Sequence, residues 1–202
     1  PGVSEPELIR LVTARVVEMG AEGLLQINVC TGENMNPWRR WPTERKLEDG
    51  DLAGLDLHVY GPGGYIFDSS RTYLCGTKVS EKQRDRYRRA HEYINGVTSL
   101  LRPGLTIADF KSSLPPVPEK FQKLLYSFHI AHSNGLTPGE YPSIMKNQKD
   151  VDDTIKKDQV LSVDCYFGEE GDDVAVKLEE QVLITDNGAV KMADMPYDDR
   201  LL

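Results

Sequence analysis

Leu55-Asp56-Leu57-His58-Val59, the turn Gly61-Pro62-Gly63-Gly64, and Tyr65-Ile66-Phe67-Asp68 carry the reading of this chain. Successive side chains of a strand point to opposite faces. Asp56 and His58 therefore share one face, while Leu55, Leu57 and Val59 share the other. Asp68 interrupts a second apolar strand beyond the glycine-rich turn, so the segment from Asp51 to Gly76 reads as two strands. The pattern recurs near the other end. Leu161-Ser162-Val163-Asp164-Cys165-Tyr166-Phe167 sets Asp164 opposite an apolar face, and Glu179 closes Val174-Ala175-Val176-Lys177-Leu178 ahead of Val182-Leu183-Ile184. Four strands thus each carry an acid inside a core-like pattern. Unpaired, each buried carboxylate costs several kcal/mol. Too few Arg or Lys residues lie nearby to pair them all. Taken singly, any one of these acids reads as an exposed-face residue. Together, with His132 in a glycine-containing stretch between them, they read as ligands of hard or borderline divalent cations.

The remaining pattern frames these strands. Ser4-Glu5-Pro6-Glu7 predicts a capped helix start, with an apolar stripe of Leu8, Leu11, Val12, Val16 and Met19 and a stop at Gly20. Leu24 to Val29 reads as a strand. Ser80 with Gln83 forms a second capping box, and Tyr87, Ala90, Ile94, Val97 and Leu101 mark the buried face of the helix that follows. Pro103-Gly104 ends it, and Thr106 begins another. Pro1-Gly2-Val3-Ser4 matches Pro103-Gly104-Leu105-Thr106 in residue type, which predicts a repeated α/β unit. The second copy follows a long helix and the first follows nothing, so the expectation is one domain over residues 1–202 that lacks its opening helix and any N-terminal domain.

Composition narrows the function classes. A net charge of −8 among 202 residues argues against a nucleic-acid surface. No apolar run approaches the ~18 residues of a membrane span. Cys30, Cys75 and Cys165 are dispersed and odd in number, which predicts reduced thiols in a cytoplasmic protein.

At this point the sequence resembles a known superfamily. Asp56 to Asp68, with Gly64-Tyr65 between and Ser70-Arg71-Thr72 after, is similar to the first ligand element of the creatinase, aminopeptidase P, prolidase and methionine aminopeptidase enzymes. His132-Ser133-Asn134-Gly135, ending in Glu140-Tyr141-Pro142, resembles the His-x-x-Gly…Glu-x-Pro element. Lys157-Asp158-Gln159-Val160 through Asp164, and Leu178-Glu179-Glu180-Gln181-Val182-Leu183-Ile184-Thr185, resemble the two closing ligand strands. The resemblance implies an α+β pita-bread fold: a pseudo-two-fold repeated α/β unit whose curved, mainly antiparallel sheet is backed by helices. It also implies two divalent transition metal ions, with iron, manganese, cobalt and zinc all suited. By position Asp56 binds one ion, Asp68 and Glu179 bridge both, and His132 and Asp164 hold the second. Asp164 stands where the family has Glu. Its side chain is shorter by roughly 1.5 Å, so its strand must shift or the second position weakens. The Asp56–Asp68 interval is one residue longer than in the family, an excess for the glycine-rich turn to absorb.

The resemblance also bears on the reaction. Peptidases of the superfamily use two further histidines, and Gly139 and the Asn36-Pro37-Trp38 loop occupy those places here. Losing one oxyanion-stabilising donor costs on the order of 3 kcal/mol in the barrier. The dimethylsulfoniopropionate (DMSP) lyase branch lacks them too, and resembles this chain in Asn36-Pro37-Trp38, in the Lys177–Thr185 strand and in Pro196-Tyr197-Asp198. That resemblance implies β-elimination on a small carboxylate. Glu140 or His58 would then be the catalytic residue, because Gly139 stands at the branch's usual base, and His58 can alternatively join the metal shell. His129 reads as a structural histidine. The alternatives are an Xaa-Pro metallopeptidase, a hydrolase like aminopeptidase P or prolidase, and a non-catalytic binding module on the same fold. The expected partners are a small-molecule or short-peptide substrate, with no nucleic acid and no membrane; a homodimer is left open.

Overall fold

A computed structural model describes every residue except Arg40 and Asp150. Helix α1 (Glu5–Glu18) begins at the Ser4 capping box, in which Ser4 Oγ accepts from the Glu7 amide and the Glu7 carboxylate accepts from the Ser4 amide. The strands are β1 (Gly23–Thr31), β2 (Leu52–Tyr60), β3 (Ile66–Leu74), β4 (Ala131–Ser133), β5 (Glu140–Ile144), β6 (Val160–Gly168), β7 (Ala175–Thr185) and β8 (Gly188–Lys191). Helices α2 (Glu81–Leu100), α3 (Ile107–Ser112) and α4 (Glu119–Leu125) fall between β3 and β4. One antiparallel sheet runs β1-β2-β3-β7-β6-β4-β5, with β8 on β7. The expected pita-bread arrangement, a mainly antiparallel sheet backed by helices, is the one observed.

The core lies between one sheet face and α2. Tyr87, Ala90, Ile94 and Val97 of α2 are buried together with Leu161, Val163, Cys165 and Phe167 of β6 and Val176, Leu178 and Val182 of β7. These are alternate residues of each strand, so the side chains between them project to the opposite face, where the acids stand. Helix α1 departs from expectation. Leu11 and Met19 of its apolar stripe are exposed, because α1 rests against β1 at the sheet's edge and only Glu5 of its residues is buried. Glu5 turns inward to accept from the Thr31 and Thr43 amides, tying the helix start to the sheet.

The internal echo is structural. Gly2 donates to the Leu47 carbonyl and Leu47 donates back to Val3. Gly104 and Leu105 repeat the exchange with Ile155. Ser4 bridges Lys46 as Thr106 bridges Thr154, and both hydroxyls cap a helix. Gly2 and Gly104 carry φ of 87° and 81°, a region costly for side-chain-bearing residues. The two units meet where β3 and β7 lie side by side. The ladder there has one registered pair, Ser70 with Glu179, and side chains close the rest. Ser69 Oγ and Arg71 Nη1 both donate to the Glu179 carbonyl at 2.7 Å, and Thr72 Oγ1 donates to the Lys177 carbonyl at 2.8 Å. Arg71 is buried and pairs with buried Glu180 at 2.7 Å. The three cysteines are free, and no described helix is long and apolar enough to cross a membrane.

Truncating one member of a buried ion pair strands the other. Glu180→Ala is expected to lower unfolding free energy by about 3–5 kcal/mol in guanidinium chloride denaturation, with a smaller loss for Glu180→Gln.

Candidate metal centre

Sheet register gathers the candidate ligands. Asn28, Asp56, Ser70, Glu179 and Asp164 are successive cross-strand partners on β1, β2, β3, β7 and β6. One step along the strands, Gln26 pairs with His58 and His58 with Asp68, while His132 pairs with Ser162. The β2–β3 ladder runs without a bulge from Leu52 to Tyr60, so the longer interval is taken up wholly in the Gly61–Tyr65 turn. Asp164 faces Glu179 in register, and its Oδ2 lies 3.3 Å from His132 Nε2. The shorter side chain therefore reaches the imidazole.

All five expected ligand residues are buried in one place. Asp68 straddles it, with Oδ1 2.9 Å from His58 Nε2 and Oδ2 3.7 Å from His132 Nε2. His132 Nε2 is also 3.6 Å from Glu179 Oε1. Two atoms bound to one cation at 2.0–2.2 Å stand about 2.8–3.6 Å apart for right-angle to tetrahedral geometry. The His132 separations match the edges of such a polyhedron, allowing for small closure. Asp68 Oδ1 is buried and its near polar contact is the His58 ring nitrogen, so the oxygen is met by positive charge only through a protonated imidazole or a cation. Two ligand triads overlap here, Asp56-His58-Asp68 and Asp68-His132-Glu179, and a third joins His129 to His132 and Asp164. The donor set fits divalent cations.

Lys177 changes the charge balance. It stands two residues before Glu179 on β7, hence on the same face, and its buried ammonium lies 3.3, 3.1 and 2.9 Å from Asp56, Asp164 and Glu179. One lysine thus touches three of the four acids, which is too few cations to pair them all. Ser70 Oγ accepts from Lys177 at 2.6 Å and lies within hydrogen-bond distance of Asp56 Oδ1 and Glu179 Oε2. Asn28 donates to the other Asp56 oxygen at 3.0 Å, and Gln26 donates to Asn28. Four negative charges against one positive still leave three uncompensated.

The imidazoles register that deficit. Burial opposes a charge on His132, but Asp164 and Glu179 overcome it and push its pKa up to about 11. Burial likewise opposes a charge on His58, which Asp68, Asp56 and Glu179 overcome, to about 9. Asp68 is raised to about 7 by its burial and by the Glu179 charge. Burial works against ionised Glu179 too, yet Lys177 and His132 hold it well below the usual carboxylate range.

A pocket of about 230 Å³ opens onto these groups. Trp38, Phe128 and His129 wall it, with Pro138 and Gly139 at its rim. Tyr166 supports the aromatic wall, stacking on Phe128 at 4.9 Å and meeting Trp38 edge-on at 6.5 Å. His129 sits 5.1 Å from the His132 ring, and burial together with the neighbouring His132 lowers its pKa. From the sequence His129 reads as structural, because nothing in Phe128-His129-Ile130 reveals which way a ring before a short strand turns. Glu140 lies apart. Its Oε1 accepts from the Leu136 and Thr137 amides and its pKa is lowered chiefly by the Thr137 amide; it braces the 135–139 loop and does not line the pocket. The expected base at Glu140 thus stands outside the lining of this pocket.

Buried carboxylates and an imidazole on adjacent antiparallel strands, beneath an open pocket, form a candidate metal centre on a pita-bread fold. Residues 1–186 match metallopeptidase family M24, and the chain belongs to that family. Among curated relatives, it is 26% identical to the dimethylsulfoniopropionate lyase DddP of Roseovarius nubinhibens over 98% of this chain and 45% of that protein. It is 28% identical to the Xaa-Pro dipeptidase of Pyrococcus furiosus over 74% of this chain and 42% of that one. Among solved structures, dipeptidase PepE from Mycobacterium ulcerans superposes with a TM-score of 0.84 at 21% identity, covering 98% of this chain and 52% of that one. The prolidase of Pyrococcus furiosus gives 0.81 at 23%, covering 96% and 57%. The chain spans about half the length of the curated relatives it matches.

Removing the built-in cation exposes the repulsion. Lys177→Met is expected to destabilise chelator-treated protein by about 3–5 kcal/mol, measured by urea denaturation, and added divalent cation should recover part of the loss.

Proposed function

We propose that this protein is a metal-dependent lyase that eliminates dimethyl sulfide from DMSP or a closely similar small carboxylate. The observation that carries the reading is the pocket wall: Trp38 and Gly139 line it, and the resemblance puts Gly139 and the Asn36-Pro37-Trp38 loop where peptidases of the superfamily have imidazoles. Asp56, Asp68, His132, Asp164 and Glu179 would hold two divalent transition ions, of iron, manganese, cobalt or zinc. Bound ions would supply Lewis acidity toward the substrate carboxylate, raising the acidity of the adjacent C–H.

The chain's own residues account for the rest. The pocket suits a molecule of a few heavy atoms, and the aromatic rings of Trp38 and Phe128 in its lining suit a sulfonium cation. His129 has a lowered pKa, stays neutral near pH 7 and accepts the α-proton. The C–H electron pair becomes the Cα=Cβ double bond, and the Cβ–S pair departs with sulfur. The products are acrylate, neutral dimethyl sulfide and a protonated His129. Asn28 and Ser70 keep Asp56 oriented throughout, and the Tyr166 ring fixes the aromatic wall.

A second reading is Xaa-Pro hydrolysis. It is favoured by the presence of His58 and His129 in the pocket, which supply two imidazoles from strand positions other than the expected ones.

Headspace gas chromatography on purified, metal-loaded protein given DMSP separates the two. Dimethyl sulfide is expected, with kcat lowered about 10²–10⁴-fold in His129→Ala and abolished in Asp68→Ala. Proline release from Xaa-Pro dipeptides without any sulfide would move the protein to the second reading.

A further inference from the structure

The position beside Asp56 is expected, from the superfamily's pattern, to hold its ion through oxygen. The structure puts a nitrogen there. His58 lies on β2 two residues after Asp56 and directly across the ladder from Asp68. Its Nε2 stands 2.9 Å from Asp68 Oδ1 and 3.6 Å from Asp56 Oδ1. With the ring protonated the shorter distance is an ion pair with Asp68; with the ring neutral, the same two atoms stand at the spacing of two ligands on one cation. Both separations fall within the roughly 2.8–3.6 Å between two atoms bound to the same cation. The ring is mostly buried and lines the pocket with its neighbours, so it needs no rearrangement to coordinate.

We propose that His58 is a direct ligand of the ion held by Asp56 and Asp68, so that each of the two ion positions carries an imidazole: His58 on one side and His132 on the other. With the site read as metal-dependent, as above, this ligand set favours borderline ions such as zinc, cobalt and iron over manganese and magnesium. Imidazole suits the former, whereas carboxylate and water ligation suits the latter. The assignment also fits Lys177. An ammonium already touches Asp56, and a neutral ring adds a donor without adding to the crowded negative charge.

Cobalt(II) reports its own ligands. A ring bound through Nε2 retains a proton on Nδ1, and proton NMR of the cobalt-loaded protein resolves that proton as a strongly shifted, solvent-exchangeable signal. His58→Asn should lose one such signal while His132's remains. Its cobalt affinity, by isothermal titration, should fall at least ~10-fold, the lower end of what disturbing a metal site costs. His58→Asp restores an all-oxygen position. After equilibration in equal cobalt and manganese, mass spectrometry should find its manganese-to-cobalt ratio raised ~10-fold or more over the unaltered protein. Circular dichroism confirms that both variants fold. An unchanged set of exchangeable signals in folded His58→Asn overturns the assignment, as does an unchanged metal ratio in His58→Asp. None of these readouts depends on turnover, so they stand or fall separately from the lyase reading. A protein that binds no cobalt at all defeats the metal-dependent reading itself, and this assignment with it.

Discussion

Four carboxylates packed into one buried pocket repel one another, and the surrounding structure is organised to tolerate them. In a medium of low effective dielectric, like charges a few ångströms apart cost several kcal/mol per pair. Lys177 offsets part of this by touching Asp56, Asp164 and Glu179 together. Hydrogen bonds hold particular oxygens: Asn28 on Asp56 Oδ2, and Ser70 between Asp56 and Glu179. A further oxygen, Asp68 Oδ1, is met by the His58 ring nitrogen at 2.9 Å. Added positive charge, whether protons on the imidazoles or divalent ions between them, relieves the repulsion that remains. Demand for cations is therefore built into the fold and precedes any question of reaction.

The seam between the two repeated units is what brings these charges together. Asp56 and Asp68 belong to the first unit, and His132, Asp164 and Glu179 to the second. Only Ser70 and Glu179 are registered across β3 and β7, so the seam relies on side chains. Arg71 matters most. Its guanidinium donates to the Glu179 carbonyl, the Met195 carbonyl and the Glu180 carboxylate at once, a fork geometry lysine cannot supply. Glu179 and Glu180 are consecutive, so one faces the metal site and the other the seam. The strand alternation that puts Glu179 among the ligands is thus the same one that gives Arg71 its partner.

What the sequence made legible followed from periodicity. The alternation in Leu55–Val59 and Leu161–Phe167 placed the acids on one face, and the capping boxes at Ser4 and Ser80 placed two helix starts. The less legible features depend on tertiary direction. Lys177 shares the face of Glu179 by simple alternation, yet a lysine inside an apolar strand reads equally well as an exposed residue; only adjacency to β2 and β6 reveals three acids around it. The stripe of α1 has helical period but meets only β1, so Leu11 and Met19 stay exposed. Glu140 has the right chemistry for a base, but the loop returning through Gly139 turns its carboxylate onto the Leu136 and Thr137 amides. A motif specifies residue types at intervals, whereas a base must also face the substrate.

Ligands and walls are carried by different kinds of structure, and this bears on why one family accommodates both lyase and dipeptidase relatives. Asp56, Asp68, Asp164 and Glu179 sit within paired strands, where a one-residue slip would turn every ligand to the core face. The groups that meet a substrate sit elsewhere: Trp38 and Gly139 in connecting segments, Phe128 and His129 ahead of β4. Segments of that kind change without disturbing a ladder. On the proposed reading, Trp38 and Gly139 take the places of two peptidase donors without touching the ladders, and His129 returns an imidazole from a new direction. His58 is the exception, for it lies inside β2 and shares the face of Asp56. A substitution there bears on the ion directly, and so alters the chemistry available to whatever the walls admit.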